Sequence, residues 1–169
     1  MDVKALRTLT YGLYIIGVRN GTGFDSGFGG CVVDSVAQIS SGDKPIVVVS
    51  VNRENLTRDL IAESGELTLS VLADNVAPLT VALFGFHSSR DRLKWELVPH
   101  WLSNGLPVLT DSVAFLRLKV TETMELSTHT AFFCELTDAE KLDLAAKPLV
   151  YADYQATMAK AAKDADAAL

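Results

Sequence analysis

Two short stretches of the chain gather hydroxyls at positions that suit an anionic ligand. The first is Val33-Asp-Ser-Val-Ala-Gln-Ile-Ser-Ser41 and the second Ser50-Val-Asn-Arg-Glu-Asn-Leu-Thr57. Both read as strand ends, and the second leads into a helix. A helix start offers free backbone N–H groups and the positive end of the peptide dipole, and Arg53 adds a full positive charge. Such a set suits a phosphate monoester, although serines at strand ends also serve as plain turn-formers. A third stretch, Ser89-Arg-Asp-Arg-Leu-Lys94, stands beside Trp95. It reads either as a solvated loop or as a basic rim for an anionic cofactor. A fourth, Ser127-Thr-His-Thr130, sets His129 between two strands, where an imidazole is structural, solvated or catalytic.

Other familiar sites are absent from the sequence. There is no Walker loop and no G-x-S-x-G elbow. Gly21-Thr-Gly23 does not open a helix after a strand with the required third glycine. His87, His100 and His129 lack metal-ligand spacing, and Cys31 and Cys134 form no CxxC pair. The cysteines read as two buried small hydrophobes in a reducing cytoplasm, and no metal is expected.

The elements that must position these residues are mostly strands. Asp2 is placed to cap a short helix through Thr10, with Val3, Leu6 and Leu9 on one side. Strands follow at Leu13 to Arg19, Cys31 to Ile39 and Ile46 to Val51, the last one buried on both faces or nearly so. Asn20 to Gly30 holds five glycines and reads as a turn or a long hairpin loop. Asn55 or Thr57 caps a helix through Ser64, with Gly65 as its stop, and Glu66 to Leu72 returns to strand. Pro78 opens another helix to about Phe84, and His87 to Gly105 reads as irregular. In Val113 to Leu126, Leu116, Leu118 and Val120 alternate with Arg117, Lys119 and Thr121, which gives one apolar and one wet face. A last strand spans about Thr130 to Leu142. Gln155 to Leu169, with seven alanines, reads as a helical or frayed tail.

Many strands with a few short helices between them argue against a doubly wound parallel sheet. The expectation is a mainly β domain over residues 1–154, an antiparallel barrel with helices outside it, followed by the alanine-rich tail 155–169. The 169 residues are 49% apolar and 21% charged with a net charge of −6, which excludes a general nucleic-acid binder. No apolar run approaches a membrane span and the N-terminus shows no continuous apolar segment, so a cytoplasmic protein with no membrane contact is expected. The mean hydropathy of +0.22 suggests surface hidden in an oligomer.

In combination these stretches become specific. Val33 to Ser41 resembles the "VNSVTQVS" strand of the flavin reductase-like, FMN-binding split-barrel family. Ile46 to Thr57 is similar to its "PPLVSVSVNKxNYT" segment, and Leu60 to Leu72 to its "I-x-x-S-G-x-F-x-V-S-V-L" step. Phe84 to Trp95 resembles "FGFxSGRDxDKF", His129 to Glu135 resembles "DHTxFxGEV", and Pro148 to Tyr151 the closing "PLxY". The order is preserved from about Val3 to Tyr154.

The resemblance implies an antiparallel split barrel, a homodimer, and FMN at the barrel edge. It implies that hydride passes from NADH or NADPH to flavin N5, and electrons then go to free flavin, iron or a redox protein, with a monooxygenase as one possible partner. The alternative is an FMN-binding electron carrier reduced by a protein and not by nicotinamide. Ser35, Val36, Ala37 and Gln38 would line the isoalloxazine. Ser40, Ser41, Asn52, Arg53 and Thr57 would lie near the ribityl chain and phosphate, and Phe84, Gly85, Arg90 and Lys94 would close over the phosphate side. His129 would face the flavin where nicotinamide stacks, as the catalytic residue. The chain departs from the pattern at Asp34, where the family often has Asn, and at Thr128, where it usually has Asp. The glycine-rich 20–30 segment is also longer than the family's turn.

Overall fold

The computed structural model describes residues 1–21 and 27–168, so the middle of the glycine-rich segment and Leu169 lie outside the described residues. The strands, in chain order, are β1 (Tyr14–Asn20), β2 (Gly27–Gly29), β3 (Val32–Val33), β4 (Val36–Ser40), β5 (Ile46–Asn52), β6 (Glu66–Leu72), β7 (His100–Ser103), β8 (Leu106–Leu109), β9 (Ser112–Glu125) and β10 (His129–Lys141). The helices are α1 (Leu56–Ser64), α2 (Pro78–Phe86), α3 (Tyr151–Asp153) and α4 (Ala159–Asp166), with a π-helical turn at Tyr154–Met158 between the last two. Every pairing is antiparallel, as expected of strands joined mostly by turns and short helices.

Eight strands form one sheet in the order β2-β1-β6-β9-β10-β5-β4, with β3 also on β1, and β7 and β8 form a separate ribbon. Among the described residues the sheet is not closed into a barrel. Its two ends are linked by the bent segment Val32–Ser40. The first part pairs Val33 with Tyr14 of β1, and the second pairs Val36 with Val49 of β5. The bend falls at Asp34 and Ser35, so the strand expected from Cys31 to Ile39 is two short strands with a split between them.

Strand alternation sends side chains to two cores. Ile16 and Val18 of β1, Val47, Val49 and Val51 of β5, Leu67, Leu69, Leu118, Phe132 and Cys134 fill the inside of the curled sheet, and Leu60 and Ile61 of α1 plug it. Ile15, one residue from Ile16, faces the other core, with Leu72, α2, Trp95, Tyr154 and Ala162. β5 buries Val47, Val49 and Val51, while Ile46, Val48 and Ser50 on its other face remain half-exposed. The alternation in β9 holds as far as Val120. Beyond it, Thr121–Thr128 are exposed on both faces, and the β9–β10 hairpin stands out from the core as an arm.

Two further expectations change, and the alternatives for the tail are settled. The N-terminal helix is a 3-10 helix over Val3–Thr8, capped by the Asp2 carboxylate accepting from the Lys4 N–H at 2.9 Å, and none of its residues is buried. The region from His87 to Gly105 is only partly irregular: after the loop at 87–93 it holds a 3-10 turn at Lys94–Leu97 and strand β7, whose short apolar run gave too little periodicity to read. The tail is helical and packed. Ala162 is fully buried against α2, because alanine lets the two helices approach closely. Among the described residues no helix is long and apolar enough to cross a membrane, and no group of His, Cys, Asp or Glu could hold a metal ion.

Candidate functional site

The two hydroxyl-rich stretches meet. The Ser50 N–H donates to the Ser35 carbonyl at 2.9 Å, which sets the start of β4 beside the end of β5. As the end strand of the ladder, β4 leaves one side of its backbone unpaired. Val36 is half-exposed, and Ala37 and Gln38 are exposed on this strand. The Gln38 amide donates to the Ser40 carbonyl at 3.1 Å. The Asp34 carboxylate accepts from the Ser35 hydroxyl at 2.9 Å. Ser40 pairs with Ile46 at the far end of β5 from Asn52. Six residues of strand separate those ends, on the order of 20 Å. The structure therefore places Ser40 and Ser41 away from Asn52, Arg53 and Thr57, because an antiparallel neighbour runs back toward the start of β5.

At the other end of β5 the chain turns into α1. The Asn52 carboxamide accepts from the Glu54 N–H at 2.9 Å, and Asn55 occupies the cap position without a side-chain cap bond. Gly65 stops the helix in the left-handed conformation that glycine adopts without strain. Thr57 is buried beside the Cys31 thiol, so it faces inward and not toward a ligand. Burial pushes Cys31 up to about 11, partly offset by the Thr57 hydroxyl and the Lys94 charge, and Cys134 up to about 12. Both thiols are therefore inert structural groups.

Arg58 and Arg90 converge on this helix start. Arg58 pairs with Asp59 at 3.2 Å and donates to the Arg53 carbonyl at 3.5 Å. Arg90 reaches the same Asp59 carboxylate at 3.4 Å and the Glu54 carbonyl at 3.4 Å. One carboxylate thus faces two guanidiniums, which leaves surplus positive charge at the positive end of a helix. The Arg58 Nε is buried and has no hydrogen-bond partner among the described residues. Sequence reasoning missed Arg58. A cation in the first turn of a helix opposes the dipole, and here Asp59 of the same turn offsets it in part.

The His87–Lys94 loop is built from inside. Ser89 is buried and exchanges hydrogen bonds with the backbone of Gly30, at 3.2 and 3.3 Å. Gly30 is required there, since a Cβ would stand 2.2 Å from the Ile16 carbonyl oxygen. Trp95 donates to the Gly29 carbonyl at 2.9 Å and packs edge-on against Phe84. Lys94 is 1% exposed: its ammonium donates to the His87 carbonyl at 2.9 Å and lies 5.2 Å from the centre of the Phe84 ring. Desolvation lowers its pKa to about 8. Phe84 and Lys94 therefore brace the loop from within and do not rim a ligand, whereas Gly85 and Arg90 are exposed.

His129 pairs with Asn52 across the β10–β5 ladder, so it does stand at the same strand end. Its Nδ1 lies 2.8 Å from the Thr128 hydroxyl. Arg53 is committed to the same hairpin. Its N–H donates to the Thr128 carbonyl at 3.0 Å, its guanidinium donates to the Leu126 carbonyl at 3.4 Å, and its Nε pairs with Glu125 at 3.4 Å. The other Glu125 oxygen accepts from the Thr130 hydroxyl at 3.0 Å. Arg53 thus ties the start of α1 to the arm that carries His129, through contacts at the exposed surface.

A flavin mononucleotide needs a bare run of backbone polar groups for its ring edge and cations for its phosphate. The unpaired side of β4 and the Arg58–Arg90 pair supply both kinds of group, so the residues present fit it.

The structure is an open antiparallel sheet braced by short helices, with two guanidiniums at the start of α1 and an unpaired edge along β4. Solved structures share this fold. The NADH:FAD oxidoreductase SgcE6 of Streptomyces globisporus C-1027 matches with a TM-score of 0.76 at 18% identity, over 87% of this chain and 84% of that one. The chain belongs to the flavin reductase-like family: the model of the flavin reductase like domain matches residues 6–159. It is 41% identical over 156 residues to the high molecular weight rubredoxin of Moorella thermoacetica, across 91% of this chain and 66% of that protein. It is 35% identical over 158 residues to the ferric-chelate reductase (NAD(P)H) of Archaeoglobus fulgidus, across 91% and 89%. The chain is accordingly an oxidoreductase, and the chain spans about two thirds of the length of the first of these relatives.

Proposed function

We propose that this chain binds FMN along β4 with its phosphate at the start of α1, and uses NADH or NADPH to reduce it. The observation that carries the reading is the convergence of Arg58 and Arg90 on the start of α1, which follows the strand whose Ser50 bonds Ser35. When bound, the flavin supplies the redox chemistry, accepting hydride at N5 and releasing electrons to free flavin, iron or a redox protein. The chain's own task is position and field. Backbone N–H groups on the open side of β4 would face the flavin ring, and the guanidiniums of Arg58 and Arg90 would hold the phosphate. His129, paired with Asn52 across the ladder and 2.8 Å from the Thr128 hydroxyl, is assigned to the nicotinamide side of the flavin. Stacking within roughly 3–3.5 Å is an orientation task, and no acid or base side chain is required for it.

A redox protein is the favoured electron acceptor, because the relative at 41% identity bears the name of a rubredoxin and extends beyond the matched domain. The exposed apolar Val3 and Leu6 of the N-terminal 3-10 helix, with Leu9 just after it, support self-association as a homodimer, which a solution mass would test. The deciding experiment is a visible spectrum with and without added FMN, repeated anaerobically after NADH or NADPH. Rapid bleaching of a bound flavin supports the reductase and identifies the nicotinamide. A bound flavin that stays oxidised with nicotinamide but is reduced by a redox protein assigns the electron-carrier role instead. Failure to bind FMN overturns both.

A further inference from the structure

The alanine-rich helix α4 ends on the loop that carries Arg90. The Asp166 carboxylate meets Nε2 of His87 at 2.5 Å, and both side chains are about two-thirds buried or more. His87 is the residue that ends α2 and begins the loop. It is held twice, its ring by Asp166 and its carbonyl by the ammonium of Lys94 at 2.9 Å. A few residues on, Arg90 N–H donates to the Ser88 hydroxyl at 3.1 Å, and its guanidinium extends to Asp59. A chain of bonded groups therefore runs from the C-terminal helix, through His87 and the loop, to the start of α1.

The helix is built to deliver Asp166 to that point. Tyr154 and Ala162 both face the core and Asp166 lies one turn beyond Ala162. Eight residues of regular α-helix would carry the second position well around the axis from the first. The π-helical turn at Tyr154–Met158 takes up an extra residue and restores the alignment. Small side chains at Ala159 and Ala162 let α4 lie close against α2.

We propose that Asp166 is a positioning residue for the His87–Lys94 loop, so that the C-terminal helix sets how tightly the phosphate of the flavin is held. The proposal rests on the reading of that loop and α1 as the phosphate end of the site. The test uses the full chain and compares FMN with riboflavin, which lacks the phosphate. Asp166→Asn keeps the shape of the side chain and removes its charge. It is expected to weaken FMN binding about fivefold or more while leaving riboflavin binding unchanged, and Asp166→Glu is expected to restore most of the loss. In His87→Ala the further change Asp166→Asn should then have little effect. Unchanged FMN affinity in Asp166→Asn overturns the proposal, as does an equal loss for FMN and riboflavin, which marks general loosening. Arg90→Ala separates the two layers. If it lowers FMN binding selectively and Asp166→Asn does not, only the role of Asp166 fails. If Arg90→Ala leaves the FMN-to-riboflavin ratio unchanged, the phosphate reading fails with it.

Discussion

The ammonium of Lys94 lies 2.9 Å from the carbonyl of His87, sealed beneath the ring of Phe84. A charge so placed must leave its own titration in the stability of the protein. The folded pKa of about 8 lies below the ordinary 10.5, so between these values the unfolded chain binds the extra proton. Stability contributed by this group therefore rises with pH from about 8 to about 10.5, and below 8 the full penalty, of order 3 kcal/mol, is present. Above 9 the raised thiols of Cys31 and Cys134 act in the opposite sense, because the unfolded chain loses those protons first. Denaturant melts of the wild type and Lys94→Met at pH 7 and pH 9 isolate the lysine. The wild type should gain on the variant as pH rises, and a constant difference would show that Lys94 keeps an ordinary pKa.

Arg58→Ala and Arg90→Ala should each lower FMN affinity about tenfold, from the loss of a charge-assisted contact, with riboflavin binding unaltered. Flavin fluorescence titrations check this. The loss should shrink at high salt for the exposed Arg90.

Arg53 behaves differently, because Glu125 and the hairpin backbone occupy it. Arg53→Ala should change FMN affinity by no more than about threefold. It should instead raise the KM for nicotinamide and shift the His129 ring resonances, since the arm bearing His129 is released. A loss of FMN binding as large as that of Arg90→Ala would return Arg53 to the phosphate.

Gly30→Ala would set a methyl 2.2 Å from the Ile16 carbonyl oxygen and 3.1 Å from the Trp95 indole nitrogen, and should cost about 3 kcal/mol. At Gly85 nothing lies within 4 Å of a built Cβ, and Gly85→Ala should leave the melting temperature within about a degree or two. Thermal melts of the two variants decide whether Gly30 is packed against Ile16 and Trp95 as tightly as it stands.

Much of this was legible in the residues. Alternation in β9, turn chemistry at Gly65 and Pro78, and the hydroxyls of Ser35 and Ser50 led to the right elements and to one end of one strand. What was not legible is what burial decides. Phe84, Thr57 and Lys94 belong to the motif stretches, but the fold turns them inward, and a sequence does not say which side of a loop faces water. Partner choice was equally hidden. Arg53 and Arg58 sit five residues apart with the same charge, and only the β9–β10 arm, arriving from more than 70 positions away, takes the first and leaves the second. The tail was ambiguous because alanine favours a helix whether it packs or frays.

The bent segment Val32–Ser40 has one more consequence. Its halves grip opposite ends of the ladder, β3 on β1 and β4 on β5, and are joined through Asp34 and Ser35. It acts as a clasp, and a clasp can open at one hook while the other stays fastened. A ligand lying along β4 would hold one hook, so occupancy of that edge and tightness of the curl would be coupled. Amide exchange on this segment would then read ligand binding directly, while the strands behind it stay silent.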